Sequence, residues 1–144
     1  MQRAIGLLWA VGHFGLLTSA NAQTPPPPAA GTPFDGTYRL VSAEIVTPTY
    51  TTRKGQTGPC PYRRAGPLHI VNGQARYTSA TGYRVRGTVG PQGELSMRAE
   101  GPSQWANQPI DLSVSGTVDS VGTARVRQLS HSCSYDFVWQ KAGR

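Results

Sequence analysis

Side chains that could bind an anion or form a disulfide are concentrated in one stretch, TTRKGQTGPCPYRR, which runs from Thr51 to Arg64. The stretch holds four cationic side chains and a cysteine between two prolines, and it has no acidic residue. Because a guanidinium group binds a carboxylate or phosphate through two parallel hydrogen bonds, such a stretch suits an anionic partner. Alternatively, it is a surface arm that Cys60 fixes to the fold.

Catalytic chemistry has one candidate cluster, LSHSCSYD, in which Ser130 and Ser132 flank His131 and Asp136 lies nearby. A nucleophile, a base and an orienting acid would have to converge, but adjacent residues of a strand point to opposite faces. The sequence also lacks the GxSxG, HExxH, phosphate-loop and GxGxxG motifs. We therefore predict that the protein is not an enzyme and needs no cofactor.

The first 22 residues have the layout of a secretory signal peptide. Arg3 precedes the apolar stretch from Ala4 to Leu17, and Ala20-Asn21-Ala22 fits the small-x-small cleavage pattern. The apolar stretch is shorter than the roughly 20 residues that span a bilayer, so we predict no transmembrane segment. The sequence predicts cleavage near Ala22 and a periplasmic or secreted protein.

A proline-rich spacer, QTPPPPAAGTP, covers residues 23–33, and its four consecutive prolines favour an extended polyproline helix. One folded domain is expected after it, over residues 34–144. Without residues 1–22 the chain keeps 13 Lys and Arg against 7 Asp and Glu, a net charge of +6. This balance favours an anionic partner such as an envelope glycan, a lipid headgroup or an acidic protein. Export argues against nucleic acid, and the alternative is that the charge only maintains solubility.

The two cysteines of the chain are Cys60 and Cys133. An even number of cysteines in an exported protein is typical of a disulfide, so we predict a Cys60–Cys133 bond. A metal site would need further ligands, and only His69 and His131 accompany the cysteines after residue 22, without CxxC or HxxxH spacing. No metal is therefore predicted.

Short alternating apolar and polar runs recur along the domain between turn residues, and no segment has helical periodicity. This pattern predicts an all-β fold, an antiparallel up-and-down meander that closes into a small barrel of about eight strands. The Asn72-Gly73 pair predicts a type I′ hairpin. Residues 47–66 form the longest expected connection, in which we expect Arg53 and Lys54 to be mobile. The expected strands cover residues 37–46, 68–71, 74–79, 83–89, 94–100, 110–118, 123–129 and 133–141.

The strand register that keeps the apolar side chains on one face pairs Tyr77 with Val85 and Val85 with Ala99. The same register places three arginines side by side on the other face of three neighbouring strands: Arg76, Arg86 and Arg98. It also places Arg84 next to Glu100, and Arg125 and Arg127 beside Ser115 and Thr117. Like charges that face each other on a sheet repel, so the three arginines need either good hydration or a bound anion.

Aromatic side chains alternate along the last expected strand, where Tyr135, Phe137 and Trp139 share one face with Cys133. With Tyr77 they would either fill the barrel core or line a pocket, because eight strands leave room for side chains or one small ligand. Trp105 lies in a Gly-, Pro- and Gln-containing loop. It is expected either to cap the core or to contact a partner.

Several motifs of the domain resemble those of uncharacterised small exported β-proteins of proteobacteria with one disulfide. These motifs are an FDGT(Y/W) start, an LxIxNG hairpin, two glycine-bounded hairpins and a late cysteine-aromatic strand. The resemblance implies a β fold and transfers no catalytic or ligand-binding residue. A looser resemblance is to avidin-type and lipocalin-type barrels. The matching segments are Phe34–Tyr38, Leu68–Gly73, Gly87–Leu95, Gly116–Val126 and Cys133–Trp139.

Three functions follow as hypotheses. The first is an exported, non-enzymatic binding module that holds an anionic partner on the arginine face, with Arg63 and Arg64 contributing from the long loop. The second is a carrier of a small apolar ligand, with the four core aromatics as the pocket. The third is an inhibitor of a protease or lysozyme that inserts residues 47–66.

Overall fold

The computed structural model describes residues 31–102 and 110–143. In these residues it has ten strands and no helix, and eight of the strands form a closed antiparallel barrel in the order β1-β10-β9-β8-β7-β6-β5-β4. The predicted all-β meander and barrel are therefore confirmed. The strands are β1 (Gly36–Ile45), β2 (Thr49–Thr51), β3 (Thr57–Pro59), β4 (Leu68–Val71), β5 (Gln74–Thr78), β6 (Arg84–Val89), β7 (Glu94–Ala99), β8 (Leu112–Val118), β9 (Thr123–Ser130) and β10 (Tyr135–Lys141).

Three of the sequence predictions concern residues outside the described part of the chain. They are the signal peptide, most of the proline-rich spacer, and the role of Trp105. Within residues 31–102 and 110–143, no helix is long and apolar enough to cross a membrane.

The β4–β5 hairpin turns at Asn72 and Gly73, which have φ angles of 51° and 73°. Both residues therefore adopt the left-handed conformation that a type I′ turn requires. The turn brings Val71 opposite Gln74 and His69 opposite Arg76. This hairpin fixes the register from which the outer face of β5 is built.

Barrel closure depends on β1, which pairs with β10 along most of its length and with β4 at its start. Its register shifts between Leu40 and Ser42, so Val41 is an extra residue and its side chain is 58 % exposed. Such a bulge bends a strand and increases its twist. The bend lets β1 leave β4 and follow β10.

The barrel interior is filled by side chains. Trp139, Tyr38, Phe137 and Leu68 are fully buried, and the rings of Phe137 and Trp139 pack with their centroids 5.4 Å apart. In the described residues, every buried side-chain nitrogen and oxygen atom has a hydrogen-bond partner. The interior therefore satisfies its polar groups without a bound molecule.

The two ends of the barrel are closed by different segments. At the end where β1 begins, Phe34 is buried, and its carbonyl accepts a 2.6 Å hydrogen bond from the Tyr38 hydroxyl. At the other end, residues 60–66 lie across the mouth of the barrel. The Tyr135 hydroxyl there donates to the Pro61 carbonyl at 2.8 Å, and the Trp139 indole nitrogen donates to the Gly66 carbonyl at 3.0 Å.

The long connection between β1 and β4 contains a pair of strands that we did not predict. β2 and β3 form a separate two-stranded hairpin, in which Tyr50 faces Gly58. Its turn is closed by a hydrogen bond from the Gly55 amide to the Thr52 carbonyl at 2.9 Å. Arg53 and Lys54 therefore lie at the tip of this hairpin.

A candidate anion-binding surface

Three arginines occupy one row across the outer face of the barrel. Arg76 on β5 faces Arg86 on β6, and Arg86 faces Arg98 on β7, which is the arrangement the sequence register predicted. All three side chains are exposed. Neighbouring strands lie about 4.8 Å apart, so the Cα atoms of Arg76 and Arg98 are separated by roughly 10 Å. We call these three residues the arginine row.

One carboxylate reaches the arginine row. Glu100 donates its backbone amide to the Arg84 carbonyl at 2.8 Å, which agrees with the predicted position of these two residues. Its side chain, however, pairs with Arg86, two residues further along β6, and Glu100 Oε2 lies 3.1 Å from Arg86 Nε. Both side chains are about half exposed, so this ion pair is screened by water. It partly neutralises the middle of the arginine row.

A histidine extends the arginine row, and the sequence analysis did not include it. His69 on β4 faces Arg76, and Thr37 on β1 faces His69 with its hydroxyl 3.2 Å from His69 Nδ1. The Asn72-Gly73 turn would have been sufficient to place His69 here, because a two-residue hairpin fixes which residues are opposite. The polar row therefore spans five strands, from β1 to β7 by way of β4.

Two open clefts meet at Arg76. One, of about 350 Å³, lies over β1, β4 and β5, and its lining includes Thr37, His69 and Arg76. The other, of about 290 Å³, is lined by Gln74, Arg76, Arg86 and neighbouring residues. Val71 contributes to both clefts and is 56 % exposed. The two clefts therefore flank Arg76, and Arg98 lines neither of them.

Charge is distributed unevenly along the chain and hence around the barrel. The segment 45–93, which contains β2 to β6, has seven Lys and Arg residues and no acidic residue. All seven Asp and Glu residues of the chain lie outside it. The strands β4, β5 and β6 therefore carry basic side chains and no acid of their own, and the carboxylates that reach this wall, Glu100 and Asp35, come from neighbouring segments. Clustered charge of one sign raises the local concentration of counter-ions and of charged ligands.

The wall around β9 is different. Arg125 and Arg127 lie beside Thr117 and Ser115, as predicted, but Arg127 donates two 2.8 Å hydrogen bonds to the Asp136 carboxylate on β10. These bonds hold the pKa of Asp136 below its usual value, although partial burial opposes the shift. The same pair raises the pKa of Arg127. Arg127 is therefore internally compensated, whereas no ion pair among the described residues includes Arg76 or Arg98.

Arg63 and Arg64, which we expected to assist the arginine row, belong to the segment that covers the end of the barrel. The nearby Gly66 amide donates to the Thr78 carbonyl at 2.9 Å, and Thr78 faces Arg84 at the start of β6. The structure thus places the Arg63-Arg64 pair at the mouth of the barrel, near the end of β5. The arginine row lies on the side wall below it.

The disulfide and the aromatic residues occupy structural positions. Cys60 and Cys133 form a disulfide with a Cα–Cα distance of 5.8 Å, as predicted. The proposed pocket residues lie in the packed interior and contact one another: the centroid of Trp139 is 5.3 Å from that of Tyr77, and Phe137 stacks on Tyr135 at 5.9 Å. Burial raises the pKa of Tyr77, so its phenol stays protonated well above neutral pH.

The cluster around His131 lies at the same end of the barrel as the disulfide. The Ser132 hydroxyl lies 2.9 Å from His131 Nε2, and His131 is exposed. Asp136, the acid nearest in sequence, directs both carboxylate oxygens to Arg127. In residues 31–102 and 110–143, no group of three or more His, Cys, Asp or Glu residues could hold a metal ion.

Comparison of the chain with protein-family models, with curated proteins and with solved structures finds no match in any of the three.

Proposed function

We propose that this protein is an exported, non-enzymatic binding module that holds an anionic partner on the arginine row. The observation that carries the proposal is the alignment of Arg76, Arg86 and Arg98 on adjacent strands, with open clefts on both sides of Arg76. Guanidinium groups at this spacing repel one another. A bound carboxylate, sulfate or phosphate would relieve that repulsion and accept paired hydrogen bonds.

The uneven charge distribution supports the same proposal. The positive segment 45–93 builds the strands β4, β5 and β6, which carry His69, Arg76, Arg84 and Arg86. On the opposite wall Asp136 compensates Arg127. An anion approaching the barrel is therefore steered to one side, and the rate of association should fall as salt is added.

The packed interior favours a surface site over the carrier hypothesis. Tyr77, Tyr135, Phe137 and Trp139 are each at most 5 % exposed and pack against one another. A ligand among them would have to displace these contacts. A carrier would be recognised by a small molecule that co-purifies with the protein and is detected by native mass spectrometry.

The inhibitor hypothesis remains a second candidate, because the β2–β3 hairpin stands outside the barrel and carries Arg53 and Lys54 at its tip. The Cys60–Cys133 bond follows directly after β3, and the Cys60 amide donates to the Pro48 carbonyl at 2.9 Å. These contacts hold the hairpin at its base. Assays with secreted proteases and lysozymes test this candidate, and an inhibitor would lose its effect on R53A/K54A substitution.

The anion-binding proposal is tested by retention on immobilised heparin at low ionic strength. We expect the double variant R76S/R98S to elute at clearly lower salt than the wild-type protein. The variant R125S/R127S removes the same charge from β9, the strand opposite β5 in the barrel, and is the matched control. R63S/R64S should give an intermediate loss, because these residues lie at the mouth of the barrel above the wall that carries the arginine row. Equal losses for R76S/R98S and R125S/R127S would overturn the proposal and reduce the effect to net charge.

A further inference from the structure

We infer that the anionic partner is a linear acidic glycan, a chain of uronate or sulfated sugars that lies across the strands along the arginine row. This inference rests on the proposed function and specifies its ligand. Its basis is the repetition of the site from strand to strand, the continuity of the two clefts, and the side chains that line them.

Repetition distinguishes a linear ligand from a single small anion. One phosphate or sulfate is usually held by several donors that converge on one point, including backbone amides. Here Arg76, Arg86 and Arg98 stand on three adjacent strands about 4.8 Å apart, so their backbone positions form a row and do not surround one point. The backbone amides of β5 and β6 are used in the sheet pairing around them. Such a row suits negative groups that recur along a chain.

The two clefts join into one track. They share Arg76 and Val71, so they lie side by side and their combined lining extends from Thr37 on β1 across β4 and β5 to Arg86 on β6. Arg98 on β7 prolongs the row, and Ser113 on β8 faces Arg98. The direction of the track is perpendicular to the strands.

Neutral polar groups flank the cations in this track. Thr37 and His69 lie at one end, Gln74 lines the second cleft, and Ser113 lies at the far end. Hydroxyl, imidazole and amide groups can exchange hydrogen bonds with sugar hydroxyls. The exposed side chain of Val71 offers a small apolar surface of the size that the C–H face of a sugar ring covers.

The residues that line the clefts also argue against two other anionic partners, single-stranded nucleic acid and lipid. Proteins that hold single-stranded nucleic acid combine cations with aromatic side chains on which bases stack. Among the described residues that line the two clefts there is no Phe, Tyr or Trp. A lipid would need a broader apolar surface for its chains. Among the described residues that line the two clefts, Val71 is the one large hydrophobic side chain that is exposed.

The track has a defined boundary. Asp35 lines the first cleft, where its carboxylate accepts hydrogen bonds from the Asn72 and Gly73 amides at 2.8 and 3.2 Å. Burial alone would raise the pKa of Asp35, but these bonds and one from the Thr32 hydroxyl outweigh it, so the pKa is lowered and the group stays anionic. A negative chain would therefore end short of Asp35.

The test is a length series of heparin oligosaccharides, from disaccharide to octasaccharide, measured by calorimetry with wild-type protein, R98S and R125S. We expect affinity to rise about tenfold from disaccharide to hexasaccharide and then to level off, because longer chains reach more of the arginine row. R98S should lower hexasaccharide affinity about three- to tenfold, the effect of one lost ion contact, and disaccharide affinity less than twofold. R125S should change both by less than about twofold.

Several outcomes would overturn the inference. Equal affinity for oligosaccharides of all lengths would rule out a linear ligand. An R98S effect that is the same at each length would do so as well. Inorganic phosphate or lipopolysaccharide vesicles that bind more tightly than any oligosaccharide would assign the arginine row to a compact anion or a lipid headgroup. Polyphosphate of equal charge that binds as tightly would show that the sugar is irrelevant. In these cases the proposed function stands, whereas it fails if R76S/R98S leaves the binding of every anion unchanged.

Discussion

The Tyr77 hydroxyl on β5 donates a 2.6 Å hydrogen bond to Gln128 Oε1 on β9, the strand on the opposite side of the eight-stranded barrel. Both side chains are buried, at 4 % and 8 % exposure. The bond therefore crosses the barrel interior and joins two walls that share no backbone pairing. It explains why the interior can include an amide without a bound ligand.

Loss of this bond should destabilise the protein measurably. Y77F removes the donor and leaves the buried Gln128 oxygen without it, which costs roughly 1–3 kcal/mol of unfolding free energy. Denaturation by urea measures the change. Y62F is the control, because Tyr62 is 60 % exposed. The double variant Y77F/Q128L should recover part of the loss, since no unpaired polar group is left. A Y77F variant as stable as Y62F would contradict this role.

The Glu100–Arg86 ion pair makes a prediction about binding. E100Q releases Arg86 to the arginine row, so we expect affinity for heparin to rise about two- to fivefold, within the range of an exposed ion pair. E94Q removes an acid at the first residue of β7, the strand that Glu100 follows, but Glu94 is engaged with the Gln92 amide at 3.0 Å. It should have a smaller effect. If E94Q and E100Q strengthen binding equally, only net charge matters and the ion pair is irrelevant.

The register of the barrel could be predicted from the sequence, because alternating side chains leave one pairing that buries Leu95 and Met97. That is why the arginine row was found. Its extension to His69 was equally available from the Asn72-Gly73 turn and was missed. Glu100 forms its ion pair with Arg86 and not with Arg84. This preference depends on side-chain rotamers, which cannot be predicted from the alternation of residues along a strand.

Other differences have local causes. The hairpin of β2 and β3 was not predicted because each strand has three residues, too few for an alternating pattern to be recognised. The last strand begins at Tyr135 although we expected it at Cys133. The Ser130 hydroxyl accepts from the Cys133 amide at 3.2 Å and donates to the Cys133 carbonyl at 2.7 Å, which holds these residues in a turn.

Asp35 should make stability depend on pH in the acidic range. Its hydrogen bonds from Thr32, Asn72 and Gly73 lower its folded-state pKa below the value of an unfolded chain, about 3.9. The stabilisation is therefore complete above that value and is lost as the pH falls through the folded-state pKa. D35N should be less stable than wild type by roughly 0.5–1.5 kcal/mol at pH 7, because the amide has one acceptor oxygen only and the lost hydrogen bonds are partly exposed to water.

Urea titrations of wild type and D35N between pH 7 and pH 2 measure this effect. The difference in unfolding free energy should be largest at neutral pH and should shrink below about pH 4. D111N, which removes a carboxylate at the far end of the barrel, should not reproduce that pattern. A difference between wild type and D35N that is constant from pH 7 to pH 2 would show that the carboxylate charge contributes nothing at this turn.

The Cys60–Cys133 bond should govern the stability of the barrel without governing the arginine row. It joins residues 73 apart in sequence, and in the chain-entropy model a loop of this length is worth roughly 4 kcal/mol. C60S/C133S should lower the unfolding free energy by about that amount, as should reduction of the wild-type protein. The arginine row lies on β5, β6 and β7, whose register is fixed by their own pairing. Heparin affinity at a temperature where the variant stays folded should therefore change by less than about twofold. A larger loss in C60S/C133S than in R63S/R64S would show that the disulfide shapes the binding surface itself.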